Sequence, residues 1–414
     1  MPEAQSPAPW LEKVNAEGAA SFAAADLPTG REEVWRYTRI ADVDFDRYEV
    51  PGSDAGGSVD PETIGGSAAM VVVRNGNIVS IERSESLGKA TVMTVSEHPD
   101  GEVLFNSVRG EAIDAISHLH DAHASGVVVV DVPARTHVEQ PIVIDVFSNV
   151  EGGLTCPHTI VRAGQGASVT VFERRRSGEA DQLVVPIVEL DAANDARIGY
   201  LVAQQLGAAT TSLEHQVARA DQQANVVCST AAFGGSYARV RADFRLVGRG
   251  ASGDLLSAYF GDGDQMLDFR TFQDHDAPDT TSNLLFKGAV TGAAKSVYSG
   301  LIRVSEDAPN TNAFQTNRNL KLSDDAWAYS VPNLEIEQNQ VACSHASTVG
   351  EIDEEQRYYL ESRGVPSTIA EQLLVSGFFA EVIAQLPIDA VKVELQSIID
   401  EALAADRAAQ EAAS

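Results

Sequence analysis

Two short stretches pair a thiol with an imidazole, Cys156-Pro-His158 and Cys343-Ser-His345. On a strand, residues i and i+2 share a face, so each pair presents sulfur and ring nitrogen on one surface. Both groups are transition-metal ligands, and a histidine can also take up a proton near neutral pH. A tetrahedral zinc site needs two more ligands, and the third cysteine, Cys228, has no histidine beside it in sequence. Taken alone, each pair therefore reads as structural, with the cysteine acting as a small buried hydrophobe. The pair at 343–345 stands apart by position, because a strand-rich region ends there and a helical one begins.

Other constellations carry less. His118, His120 and His123 fall within one turn or so of an expected helix, without carboxylates or thiols at ligand spacing, and read as a polar helix face. Gly248-Arg-Gly-Ala-Ser-Gly253 matches G-x-G-x-x-G, with Asp268 twenty residues past Gly248. A dinucleotide site also needs a helix directly after the glycines to hold the pyrophosphate. Asp254-Leu-Leu-Ser-Ala-Tyr-Phe-Gly-Asp-Gly263 is too short and too glycine-broken for that. G-x-x-x-x-G-K-[ST], H-E-x-x-H and G-x-S-x-G do not occur, so the chain is not itself a P-loop ATPase.

The elements that must position these residues follow from periodicity. Residues 1–50 read as partly helical around a Leu27-Pro-Thr-Gly30 loop, and 51–66 as a loop or linker. Two apolar runs around Asn75-Gly76 predict a β-hairpin with a type I′ turn. A helix is expected over about 109–123. From about 125 to 348, alternation with period 2 dominates, clearest at 238–246, where apolar residues interleave with Arg239, Arg241, Asp243 and Arg245. Turns rich in Gly, Asp, Asn or Gln end in Ala167, Ala196, Ala224 and Ala251, at intervals of 29, 28 and 27 residues. Such a period suits stacked β-solenoid coils, each completing its neighbour's core; a β-sandwich or barrel is the alternative. After Gly350, Asp353 and Gln356 resemble a capping box, Gly364 suits a C′ position, and Pro366–Leu386 and Val391–Leu403 carry helical apolar stripes.

Composition limits the function classes. The chain has 414 residues, room for two or three domains or one elongated one, and 44% are apolar. The formal charge of −30 disfavours nucleic acid and anionic membrane surfaces as partners. Three cysteines suit a reducing compartment, and neither a signal-like N-terminus nor a long apolar run occurs. The expectation is a soluble, unexported, cytoplasmic protein.

Asn317-Arg-Asn-Leu-Lys-Leu-Ser323, Pro332-Asn-Leu-Glu-Ile336 and Val341-Ala-Cys-Ser-His-Ala-Ser-Thr-Val-Gly350 run on into Asp353-Glu-Glu-Gln356, Tyr358-Tyr-Leu360 and Ser362-Arg-Gly364. This block closely resembles the C-terminal signature of the SufB/SufD family of the SUF iron–sulfur cluster assembly system. Leu27-Pro-Thr29 and Glu33-Val-Trp-Arg-Tyr-Thr38 resemble its SufD pattern, and the Cys-Ser-His run also points to a SufD-like member. The chain departs from the family at Ala346-Ser347 and Glu337-Gln-Asn-Gln340. The resemblance implies a mainly β protein, a right-handed parallel β-helix at 125–348 between an N-terminal helical or mixed region at 1–124 and a C-terminal helical module at 349–414.

It further implies a non-catalytic scaffold that pairs with a SufB-like paralogue as a heterodimer and binds a SufC-like ABC-type ATPase through the C-terminal helices. A nascent cluster would form at the SufB–SufD interface, with His345 and Cys343 as transient iron or cluster ligands. No tightly bound cofactor is then expected on the isolated chain, only transient iron or an Fe–S cluster in the complex. The alternatives are a β-helical carbohydrate-active enzyme and a purely structural interaction protein.

Overall fold

The computed structural model describes residues 8–52 and 60–413. Part of the expected 51–66 linker, residues 53–59, therefore lies outside the described residues. The core is a β-solenoid of two facing sheets, and the chain alternates between them coil by coil. Among the described residues, one sheet has ten strands and ends on Val341–Gly350. The other has eleven and ends on Trp327–Ile336. From Ile142 onward the pairings are parallel. The sheets begin before residue 125: Ala69–Arg74 already pairs in parallel with Ile142–Ser148. The predicted hairpin is present, with Asn75 and Gly76 both at positive φ as a type I′ turn requires.

The repeating turn explains the period. Arg135, Gly166, Asp195, Gln223, Gly250, Asp279 and Asn310 all have positive φ, one at the same corner of successive coils. At Gly166, Asp195, Gln223 and Gly250 the next residue is a buried alanine, whose N–H closes the turn on the carbonyl three residues back. The positive-φ residue sends its own N–H to the next coil, as in Asp195 to the Gln222 carbonyl at 2.8 Å. Gly248 and Gly253 are packing glycines: a Cβ at Gly248 would enter the Asp221–Gln222 backbone, and one at Gly253 the Phe244 ring. The glycine motif is thus a solenoid turn.

Other parts of the chain cover both sheets. The charged face of Tyr237–Leu246 is largely covered, with Arg239 and Asp243 buried and Arg241 and Arg245 half-buried. Arg239 is buried, bonded to the Asp268 carboxylate and to the Val34 carbonyl, because the N-terminal segment lies over it. The apolar stripes of the C-terminal helices are likewise used within the chain. Val375, Phe379, Val382 and Leu386 pack on Phe172, Leu201, Leu256 and Phe260 of the ten-stranded sheet's outer face. Arg174 anchors this layer by two bonds to Glu394, at 2.8 and 2.7 Å.

Side-chain caps set the helix ends. Asp114 caps Ala115–His123 through the Ser117 N–H, which starts that helix later than residue 109. Asp353 caps Glu354–Ser362 through the Glu355 and Gln356 N–H groups, and Gly364, at φ +88°, ends the turn. Ser367–Ile383 and Asp389–Ala413 follow. No described helix is long and apolar enough to cross a membrane.

Candidate functional site at the open end of the solenoid

Among the described residues, the strand Val341–Gly350 pairs only with Thr311–Lys321, and Trp327–Ile336 only with Lys295–Val304. Both ten-residue strands leave one backbone edge free. In register, Cys343 sits beside Ala313, His345 beside Gln315 and Ser347 beside Asn317. Ala313, Gln315, Asn317 and Asn319 are buried while Asn312, Phe314 and Arg318 are exposed, so the odd-numbered residues face the solenoid lumen. Cys343 and His345 therefore share the inner face of the last coil.

Their settings differ. Cys343 is half-buried against Ile302, Val304, Ala308 and Ala313, and this desolvation pushes its thiol up. A thiol so placed must lose its proton to bind metal, and its apolar packing opposes that. His345 is exposed. Beneath these residues runs a polar file that period-2 reading missed. Ser347 Oγ donates to Ser330 Oγ at 2.6 Å, and Ser330 donates to Asn317 Oδ1 at 3.0 Å. Asn319 Nδ2 donates to Asn317 Oδ1 at 2.6 Å, and the buried Tyr259 hydroxyl donates to Asn319 Oδ1 at 2.6 Å. The one available signal was the polar run Gln315, Asn317 and Asn319 at alternate positions of a core strand.

Apolar lumen residues are left uncovered at the same end. Leu334 and Ile336 stack on the buried Ile302 and Val304, yet are 38% and 41% exposed because no further coil covers them among the described residues. At the other end, antiparallel strands Asn77–Arg83 and Thr91–Thr94 terminate the sheets.

The second Cys–His pair is brought into a different cluster. Cys156 is buried, and burial raises its thiol, with the Asp121 charge adding to the effect. His158 Nε2 lies 3.0 Å from Glu189 Oε1 and its Nδ1 lies 3.2 Å from His120 Nε2. His120 Nδ1 donates to the Val185 carbonyl at 2.7 Å. His120 is thus fully buried, not part of a polar helix face, and burial and the neighbouring His158 hold it well below the usual imidazole range. Against the cost of its own burial, His158 holds the Glu189 carboxyl below its ordinary value. Glu189 also accepts from the Asn106, Val108 and Arg109 N–H groups at 2.8, 2.6 and 2.9 Å. This relay fastens the N-terminal region to the core. Cys228 is buried in the lumen and donates to Gln216 Oε1 at 3.1 Å. Among the described residues, no group of three or more His, Cys, Asp or Glu side chains is placed to hold a metal ion.

Residues 146–378 match the family model described as SUF system FeS cluster assembly, SufBD core domain, which is more than half of the chain. The chain belongs to the SufBD family. An iron–sulfur cluster assembly SufBD family protein of Mycobacterium tuberculosis is 32% identical to it over 399 residues, spanning 92% of this chain and 90% of that protein. The iron–sulfur cluster assembly protein SufD of Bacillus subtilis is 28% identical over 309 residues, covering 73% of this chain and 71% of its own. SufD of Escherichia coli is 24% identical over 387 residues, covering 91% and 89%. The SufBD core match includes the whole open coil and reaches into the Ser367–Ile383 helix.

Proposed function

We propose that this chain is a SufD-like scaffold subunit whose open solenoid end closes on a SufB-like paralogue, and that an iron–sulfur cluster is assembled at the junction. The carrying observation is the uncapped last coil: two free strand edges and exposed lumen residues Leu334 and Ile336 at one end of the molecule. A solenoid needs a polar terminal coil to be stable alone, and a free edge of this length is a template for another strand. A partner of the same architecture satisfies both demands.

On this reading His345 and Cys343 face the junction and supply this chain's share of transient ligands, His345 foremost because it is exposed and Cys343 is packed. Two side chains cannot complete a tetrahedral metal or cluster-iron site, so the remaining ligands would come from the paralogue and from bound sulfur. The chain has no Walker motif. The ATP-driven work falls to a SufC-like ABC-type ATPase held by the C-terminal helices, with this subunit itself performing no turnover in the cytoplasm. The exposed Tyr358 and Tyr359 on Glu354–Ser362, and the exposed Ile369 and Leu373 on the following helix, offer that ATPase apolar surface which the core does not use. The carbohydrate-enzyme alternative gains no support, since Asp268 and Asp243 are bonded to Arg239, Arg270, Arg241 and His215 and are not open to a groove.

Co-expression of the three chains tests this. The expected result is a complex that acquires an iron–sulfur chromophore on reconstitution with iron and sulfide, whereas the isolated chain acquires none. A chain that binds neither the paralogue nor the ATPase would overturn the reading.

A further inference from the structure

Neither cluster chemistry nor ATPase docking explains the segment Glu33–Thr38. It lies across the outer face of the sheet that ends on Trp327–Ile336. Trp35 is buried there, with the Arg239 guanidinium 3.7 Å from its ring centroid. Arg239 donates to the Val34 carbonyl at 2.8 Å and Arg270, one strand further on, to the Arg36 carbonyl at 2.7 Å. The segment therefore climbs strand by strand toward the open end, where Tyr37 follows.

Tyr37 has φ +67°. That left-handed conformation costs a side chain of this kind about 1–2 kcal/mol. The ring gains no core position in return, being 48% exposed. It lies instead 4.3 Å from the Tyr329 ring and 6.2 Å from Trp327, and the Trp327 and Tyr329 rings are stacked at 5.5 Å and 14°. The Tyr329 hydroxyl donates to that of Tyr37 at 3.3 Å. Trp327 and Tyr329 begin the free edge strand, two residues apart on its outer face.

We propose that Tyr37, Trp327 and Tyr329 form the side-chain anchor of the end-to-end interface, receiving an edge strand of the SufB-like paralogue. This rests on the pairing proposed above and adds which side chains hold it. The free backbone edge beside the rings dictates the kind of occupant, because a strand is the element that matches a row of strand N–H and C=O groups. Same-face side chains on a strand are about 6.6 Å apart, so two successive ones meet the two stacked rings. Large apolar residues or arginine fit them, arginine because this same face already stacks Arg239 on Trp35 and Arg241 on Phe272. The anchor is composite, since Tyr37 comes from the N-terminal region. It exists only once that region has docked on the core.

The test is a binding titration of the full-length chain against the purified paralogue. Trp327→Ala with Tyr329→Ala is expected to weaken binding about tenfold or more, the loss typical of buried aromatic anchors. Tyr37→Gly removes the ring and relieves the backbone, so the expected result is an unchanged or higher melting temperature together with several-fold weaker binding. If the double variant does not fold, Tyr37→Gly alone decides. Folded variants that bind like the wild type overturn the anchor and leave the pairing intact. A wild-type chain that does not bind the paralogue overturns the pairing itself.

Discussion

At the scale of single residues, exposure and packing separate side chains that the sequence makes look alike. His345 and Cys343 share the lumen face of one strand, but the imidazole is exposed and the thiol is packed against Ile302 and Val304. Within the proposed complex, His345→Ala is expected to leave subunit assembly and ATPase activity unchanged and to lower the cluster formed several-fold. Cys343→Ser is expected to cost less. Absorbance of reconstituted clusters checks both, and full cluster formation by His345→Ala would leave only a scaffold role. A second residue sets a pH dependence. His275 is buried between the Thr280 and Ser282 hydroxyls, each 2.8 Å away, and burial lowers it to about 4. Its folded value lies below that of the unfolded chain, so the unfolded state takes up the proton first as pH falls. The stability concerned is complete above about pH 6.5 and is lost progressively toward about pH 4, up to about 3 kcal/mol. Urea midpoints at about pH 7 and about pH 5 should therefore differ more for the wild type than for His275→Gln.

At the scale of elements, the C-terminal helices have two faces with separate duties. Phe379 is fully buried against the sheet, and Lys287 reaches under the same helix to the Phe378 carbonyl at 2.7 Å. Phe379→Ala is expected to cost about 3–5 kcal/mol by leaving a cavity. Tyr358 is 73% exposed on a helix with no buried residue. Tyr358→Ala should change stability by no more than about 0.5 kcal/mol while weakening ATPase co-purification. Thermal melts together with pull-downs separate the two effects. Equal loss of stability in both variants would mean that the outer face also serves the fold.

At the scale of the whole molecule, antiparallel strands terminate one end of the solenoid, no described residue closes the other, and the long flank of one sheet is covered by the C-terminal helices. Removal of residues 351–414 is therefore expected to expose Phe172, Leu201, Leu256 and Phe260 together and to give aggregated protein rather than a free β core. Sedimentation of the truncated chain checks this, and a soluble monomer with an intact β spectrum would show that the helices are dispensable to the core. The open end is a more local liability, because its exposed apolar residues lie at the rim of a well-packed lumen.

The sequence by itself determined what is local. Asn75-Gly76 specified its hairpin, Asp353 and Gly364 bounded their helix, and the alanine-ended turns announced the coil period, because each of these signals depends on backbone preferences of adjacent residues. Alternation also put Cys343 and His345 on one face, and a strand keeps that relation in any fold. Only the tertiary structure decided which faces are covered. His120 read as part of a polar helix face until it met His158, alternation alone did not show that the N-terminal segment lies over Arg239, and the helical stripes did not show that they pack on the sheet. Spacing marks the apolar face of an element, but whether its polar face is also covered depends on what packs from elsewhere in the chain. The meeting of Tyr37 with Tyr329, 292 positions apart, is of the same kind: it exists because the coils between them stack and bring the two ends of a long segment to one edge.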